Sequence, residues 1–143
     1  MLGYSPRMQV CLLGPLIIRA GSAEIPAGGR LQRRILARLA METGRPVTTD
    51  DLESAAWGDD PPEAARHTFA THVFRLRRLG LEIITGDDGY VLETPTDADE
   101  VERLAAESRR AVGEGEPTRA IGALREALAL CRGRPLADLD DLL

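Results

Sequence analysis

The stretch "RHTFATHVFRLRRLG", residues 66–80, carries four arginines, two histidines and no acid. The whole chain of 143 residues has a formal net charge of −5. Such a stretch is either a helix that lies against nucleic acid or an amphipathic helix with a solvated face. At about 100° per residue, Ala65, Phe69, Val73 and Leu76 fall on one buried stripe. His67, Thr71, Phe74 and Arg78 then point outward, flanked by Ala64, Thr68, Ala70 and Arg75. Small and hydrogen-bonding residues at the centre, with arginines toward the C-terminal end, suit insertion into a major groove. Thr71 and His67 would reach base edges, and Ala70 or Phe74 a thymine methyl. Arg75, Arg77 and Arg78 would hold phosphates, with Arg66 at the start. Phe74 is the odd residue on this face. It fits a DNA contact, a dimer contact and packing against the C-terminal helices equally well.

Outward from this stretch, the helix is expected over residues 62–79, with Pro62 opening it. Before it, "VTTDDLESAAWG" reads as a short helix capped by Thr49 or Asp50 that buries Leu52, Ala55, Ala56 and Trp57. Earlier still, Leu31, Ile35, Leu36, Leu39 and Ala40 share a helical face that Gly44 and Pro46 bring to an end. "MQVCLLGPLII", residues 8–18, reads as two short strands broken at Gly14-Pro15, with a third strand at residues 23–27. "LEIITGDDGYVLE", residues 81–93, reads as a β-hairpin around Gly86–Gly89. A small N-terminal sheet, three helices and a β-hairpin wing make an α+β winged helix-turn-helix over residues 1–95, whose third helix enters the major groove.

The texture changes after "TPTDADE". Val101, Leu104, Ala105, Ser108, Ala111 and Val112 mark one helical face. Ala120, Ile121, Leu124, Ala127 and Leu128 mark a second. Residues 96–143 therefore read as a helical hairpin like one tetratricopeptide repeat. A lone hairpin cannot bury its face, so it should pack on the first domain or on a second chain.

Composition narrows the function classes. All 18 basic residues are arginine, the side chain suited to bidentate contact with phosphate and guanine. Residues 1–95 hold 11 Arg against 12 acids and residues 96–143 hold 7 against 11, yet residues 64–81 are locally +4. Local charge matters more at contact distance, because salt screens charges beyond about 8–10 Å. No run approaches the roughly 18 apolar residues of a membrane span, and Gly14-Pro15 interrupts the apolar N-terminal stretch, so neither a membrane segment nor a signal peptide is expected. Cys11 and Cys131 form no CxxC pattern, which points to a reducing cytoplasm, with Cys11 filling the core. His67 and His72 lie about 140° apart on their helix, so no metal site is expected. No nucleophile elbow, phosphate-cradling loop or HExxH motif is present. No enzymatic activity and no cofactor are expected.

Several segments carry a family resemblance. "LLGPLIIRAGSAEIPAGGRLQRRILARLA", "AAWGDDPPEAARHTFATHVFRLRRLG" and "GYVL" resemble the OmpR-type winged helix of actinobacterial SARP regulators (antibiotic regulatory proteins). "DADEVERLAAESRRAVGEGEPTRAIGALREALALCRGRPLADL" is similar to the opening of the bacterial transcriptional activator domain that follows it in that family. The resemblance implies an activator of a biosynthetic gene cluster that binds direct-repeat promoter sites as a head-to-tail homodimer and recruits RNA polymerase. It assigns the reading helix to residues 62–79 and the polymerase-facing loop to Trp57–Glu63, with Asp59, Asp60 and Glu63. It assigns the wing that enters the adjacent minor groove to residues 84–90, ending on Tyr90. Asp87 and Asp88 stand where the family's wing offers a basic residue, and Phe74 stands where the family places small or polar residues. These acids and the exposed aromatic keep a second reading open: a winged helix that binds a protein partner around Phe74.

Overall fold

The computed structural model describes residues 7–139, apart from the side chain of Arg66. Residues 1–6 and 140–143, at the outer ends of the two expected domains, lie outside it. The chain opens with an antiparallel meander of β1 (Met8–Cys11), β2 (Ile17–Ala20) and β3 (Ala23–Ile25). Val10 opposes Ile18, and Ile18 opposes Ile25, so aliphatic side chains share one face. Gly21, at φ 61°, makes the tight turn between β2 and β3 that a side chain would strain.

Helix α1 (Arg30–Ala40) follows. It buries the expected Ile35, Leu36, Leu39 and Ala40, and Gln32 and Arg34 as well. Arg34 can be buried because its Nε donates to Ala55 O at 2.7 Å, at the C-terminal end of the next helix. That helix, α2 (Thr49–Trp57), is capped one residue earlier than expected: Thr48 accepts from Asp51 N at 3.1 Å. The reason is a strand too short for alternation to reveal, β4 (Val47–Thr48), which holds Thr48 extended.

Helix α3 (Ala65–Arg78) begins three residues later than the expected 62 and ends one before 79. Pro62 does not open it. Its carbonyl instead accepts from Ala65 N at 3.1 Å, closing a turn over residues 62–65. Ala65, Phe69, Val73 and Leu76 are buried, as the stripe requires. Trp57, expected in the core, is only half-buried. It rests on Phe69 with ring centroids 5.3 Å apart and planes at 49°, a tilted pairing that leaves its outer edge wet.

The β-hairpin is present as β5 (Ile83–Thr85) and β6 (Gly89–Leu92), and β4 adds to it in the order β4-β6-β5. Gly89 is fixed by close approach, since a Cβ there would overlap the carbonyl oxygen of Val47.

Helices α4 (Asp97–Gly113) and α5 (Pro117–Ala129) form the helical hairpin. Thr96 and Asp99 make a reciprocal capping box at the start of α4. Leu104, Ser108 and Ala111 of α4 are buried, as are Ala120, Ala123 and Ala127 of α5. The α5 face differs from the expected one. Small alanines let the helices approach closely, while Ile121, Leu124 and Leu128 stay exposed, together with Val112.

This hairpin packs on the first sheet, the first of the two expected outcomes. Val10 bridges Thr96 in parallel and donates to Pro95 O at 3.0 Å. Asp97 accepts from Leu12 N at 2.7 Å and from Leu13 N at 3.1 Å. After α5 the chain returns to the same turn. Arg132 N donates to Leu13 O at 2.7 Å, and Leu136 N to Leu12 O at 3.0 Å. Asp138 accepts from Leu16 N at 3.0 Å and also pairs with Arg33. Leu136 and Leu139 are 1% and 2% exposed, in one core with Val10, Ile18 and Ile35. Burying each is worth roughly 1.5–3 kcal/mol.

Candidate nucleic-acid interface

The site rests on α3 and the wing beside it. Core packing of Phe69, Val73 and Leu76 fixes the helix's rotation, so its opposite face is presented outward. His67, Ala70, Phe74, Arg75, Arg77 and Arg78 are exposed. Phe74 stands out at 60% exposure. Arg78 lies over its ring, with the guanidinium carbon 5.9 Å from the centroid, so the arginine covers part of the aromatic surface.

The two threonines are less open than the spacing suggested. Thr68 and Thr71 are half-buried, and their hydroxyls donate to Ala64 O at 3.1 Å and His67 O at 3.3 Å. Each hydroxyl keeps its acceptor lone pairs for another donor. The side chain of Arg66 lies outside the described residues.

Among the expected phosphate ligands, Arg77 stands apart. Its Nε and Nη2 donate to Ile83 O at 2.8 and 2.6 Å, and Nη2 also donates to Thr85 Oγ1 at 2.9 Å. The guanidinium is turned to β5 rather than outward with Arg75 and Arg78. Nothing in the sequence separates it from its neighbours, since the distinction lies in which strand packs beside α3.

His72, on the flank of α3, accounts for another polar group that the sequence left unexplained. Gln32 Nε2 donates to Ala27 O at 2.7 Å, so its Oε1 faces His72 Nδ1 at 2.9 Å. The amide oxygen can only accept, which places the imidazole proton on Nδ1. Burial, and secondly the charge of Arg75, hold this imidazole below its usual value. Burial likewise pushes the Cys11 thiol up, with the Asp97 carboxylate adding to the effect.

The wing's tip is acidic. Asp87 and Asp88 are exposed between β5 and β6, where Gly86 N donates to Gly89 O at 2.8 Å. The carbonyl of Asp88 accepts from Thr49 N at 2.9 Å, which ties the tip to the start of α2. Tyr90 is half-buried on β6, opposite both Val47 and Thr85. Asp59, Asp60 and Glu63 are exposed in the connection between α2 and α3. Among the described residues, no group of three or more His, Cys, Asp or Glu side chains could hold a metal ion, and no helix is long and apolar enough to cross a membrane.

A short meander, three helices with the third presented outward, and a wing beside it define a winged helix, here joined to a helical hairpin. Residues 96–142 match the bacterial transcriptional activator domain. The chain is 32% identical over 149 residues to the regulatory protein DnrI of Streptomyces peucetius, covering 92% of this chain and 54% of that protein. It is 33% identical over 146 residues to the transcriptional regulatory protein EmbR of Mycobacterium tuberculosis, covering 94% of this chain and 38% of that one. A structure of Mycobacterium tuberculosis EmbR, in complex with a low-affinity phosphopeptide, superposes with a TM-score of 0.87 at 31% identity, over 95% of this chain and 39% of that chain. Over most of its length the chain is similar to SARP-type transcriptional regulators. It spans about half the length of DnrI and less than half that of EmbR.

Proposed function

We propose that the chain is a sequence-specific DNA-binding regulator, acting in the cytoplasm without catalytic activity, and that α3 enters the major groove of promoter direct repeats. The observation that carries this reading is the outward face of α3, where Arg75 and Arg78 are exposed around His67, Ala70 and Phe74. No ion pair among the described residues engages these two arginines. His67, Thr68, Thr71 and Phe74 face base edges, while Arg66, Arg75 and Arg78 contact phosphates. Tyr90 contributes from the wing. Residues 1–95 form the DNA-binding part and residues 96–143 begin the activator part. Two copies bind head to tail, and Asp59, Asp60 and Glu63 meet RNA polymerase. The regulated genes are those of a biosynthetic cluster.

The test is a salt titration of binding to random duplex DNA, followed by fluorescence anisotropy. About four phosphate contacts weaken binding by two orders of magnitude between about 50 and 200 mM salt. No binding at low salt would sink the reading.

The exposure of Phe74 and the acidic tip at Asp87 and Asp88 favour a second reading, in which this face binds a protein. In that case Phe74→Ala costs more than any arginine change, about 2 kcal/mol or above.

A further inference from the structure

We infer that Arg77 is a positioning residue, which sets the wing against α3 and makes no phosphate contact of its own. Its consequence for DNA rests on the function proposed above; its action on the wing does not. Arg77 stands between Arg75 and Arg78 in sequence, but two residues turn a helix by about 200°, so it leaves the face that carries Arg75. That turn brings its guanidinium to β5, the edge strand of the β4-β6-β5 sheet.

The carbonyl it meets has no strand to pair with. Glu82 O accepts from Glu93 N at 2.8 Å, on the β6 side. Successive carbonyls of a strand point to opposite sides, so Ile83 O faces the open edge. Arg77 fills that edge with two donors on one oxygen and a third bond to the hydroxyl of Thr85. Ile83 O thereby has both lone pairs occupied. Thr85 in turn opposes Tyr90, and Tyr90 opposes Val47. Beside the buried side chain of Ile83, which joins the core with Val73 and Leu76, Arg77 therefore fixes the outer edge of the strand that leads to the acidic tip against the helix. The arrangement needs the planar fork of arginine; a lysine ammonium cannot donate from two rigidly spaced nitrogens.

Hydrogen exchange of the free protein tests the wing, and the salt dependence of duplex binding tests the phosphate. In Arg77→Ala, amides in residues 83–92 should exchange roughly tenfold faster or more, the scale of one lost charge-assisted bond, while α1 and α4 are unchanged. Arg77→Lys keeps the charge and the stem, and should leave the wing as fast as the alanine variant. Thr85→Val removes one acceptor and should give a smaller increase. Arg78→Ala should leave residues 83–92 at the wild-type rate. On DNA, Arg78→Ala should lower the slope of log affinity against log salt by about 0.9, while Arg77→Ala weakens binding at unchanged slope. Wild-type exchange in both Arg77→Ala and Thr85→Val overturns the inference, as does a slope loss in Arg77→Ala equal to that of Arg78→Ala. If the wild-type chain binds no duplex, the proposed function fails, and the exchange rates alone decide for or against Arg77.

Discussion

The backbone amide of Leu12 donates to the carboxylate of Asp97 at 2.7 Å, across 85 residues of sequence. Asp97 also takes the amide of half-buried Leu13, and Asp97 itself is buried with Leu12. Asp97→Ala leaves two amides without an acceptor beside the core, and should destabilise the fold by about 3 kcal/mol. Asp97→Asn keeps one carbonyl oxygen and should cost about half as much. Urea midpoints at constant slope measure both, and equal midpoints for wild type and Asp97→Ala would refute the assignment.

Leu136 enters the first core from the far end of the chain. Leu136→Ala should lower stability by about 2–5 kcal/mol, as a buried leucine does when its site cannot collapse. Removing residues 132–143 takes away Leu139 and the Asp138 acceptor of Leu16 as well. The urea transition of residues 1–131 should therefore lie below that of Leu136→Ala. A truncation with the full-length midpoint would show that the returning segment adds nothing.

Gly89 sits where a side chain would overlap Val47 O. Gly89→Ala should push β4 away from β6 and cost about 3 kcal/mol, at the upper end for overpacking. Thermal unfolding reads the loss, and an unchanged Tm would be incompatible with this packing.

The imidazole of His72 titrates below its usual 6.5 in the fold, because burial and then Arg75 disfavour its charged form. The folded state thus binds fewer protons than the unfolded one between those two values. Stability is full above about pH 6.5 and declines as pH falls toward the folded value. Glu100 acts in a separate, more acid window. Its hydrogen bond with Arg103 holds it below 4.5, so its contribution is present above 4.5 and is lost as pH falls through the folded value. In His72→Gln the decline of Tm immediately below pH 6.5 should flatten, and the acid limb should remain. An identical curve for the two proteins would remove His72 as its source.

The winged helix was legible because its three helices and its hairpin each announce themselves within a few residues. Phe69, Val73 and Leu76 repeat at helical spacing, and Gly86–Gly89 interrupts two apolar runs. What stayed hidden depends on residues far apart. Asp138 reads as a surface acid until it is seen 3.0 Å from Leu16 N, 122 positions away. Asp97 reads as a charge suited to the first turn of α4, which it also is. The short β4 left no pattern, and so the cap of α2 was misplaced by one residue. Within the candidate site the rotation of α3 was readable, since its core stripe determines it. The separate role of Arg77 was not, because three arginines in four positions look alike until β5 lies beside one of them. On α5 the choice between Ala123 and Leu124 as the inward residue is a matter of interhelical distance, which periodicity does not report.

The turn at residues 12–16 is finished by side chains and amides at 97, 132, 136 and 138, and this has a consequence for how the chain is made. A protein emerging from the ribosome generally folds its N-terminal unit first, while the rest is still being synthesised. Here the first sheet can form its strand pairs early, but Leu12, Leu13 and Leu16 wait for partners at residues 97–138. Contacts at such separation slow folding. The nascent winged helix should therefore stay sensitive to proteases at its N-terminal turn after residue 95 has been translated, and become resistant in one later step once residues 132–139 have emerged.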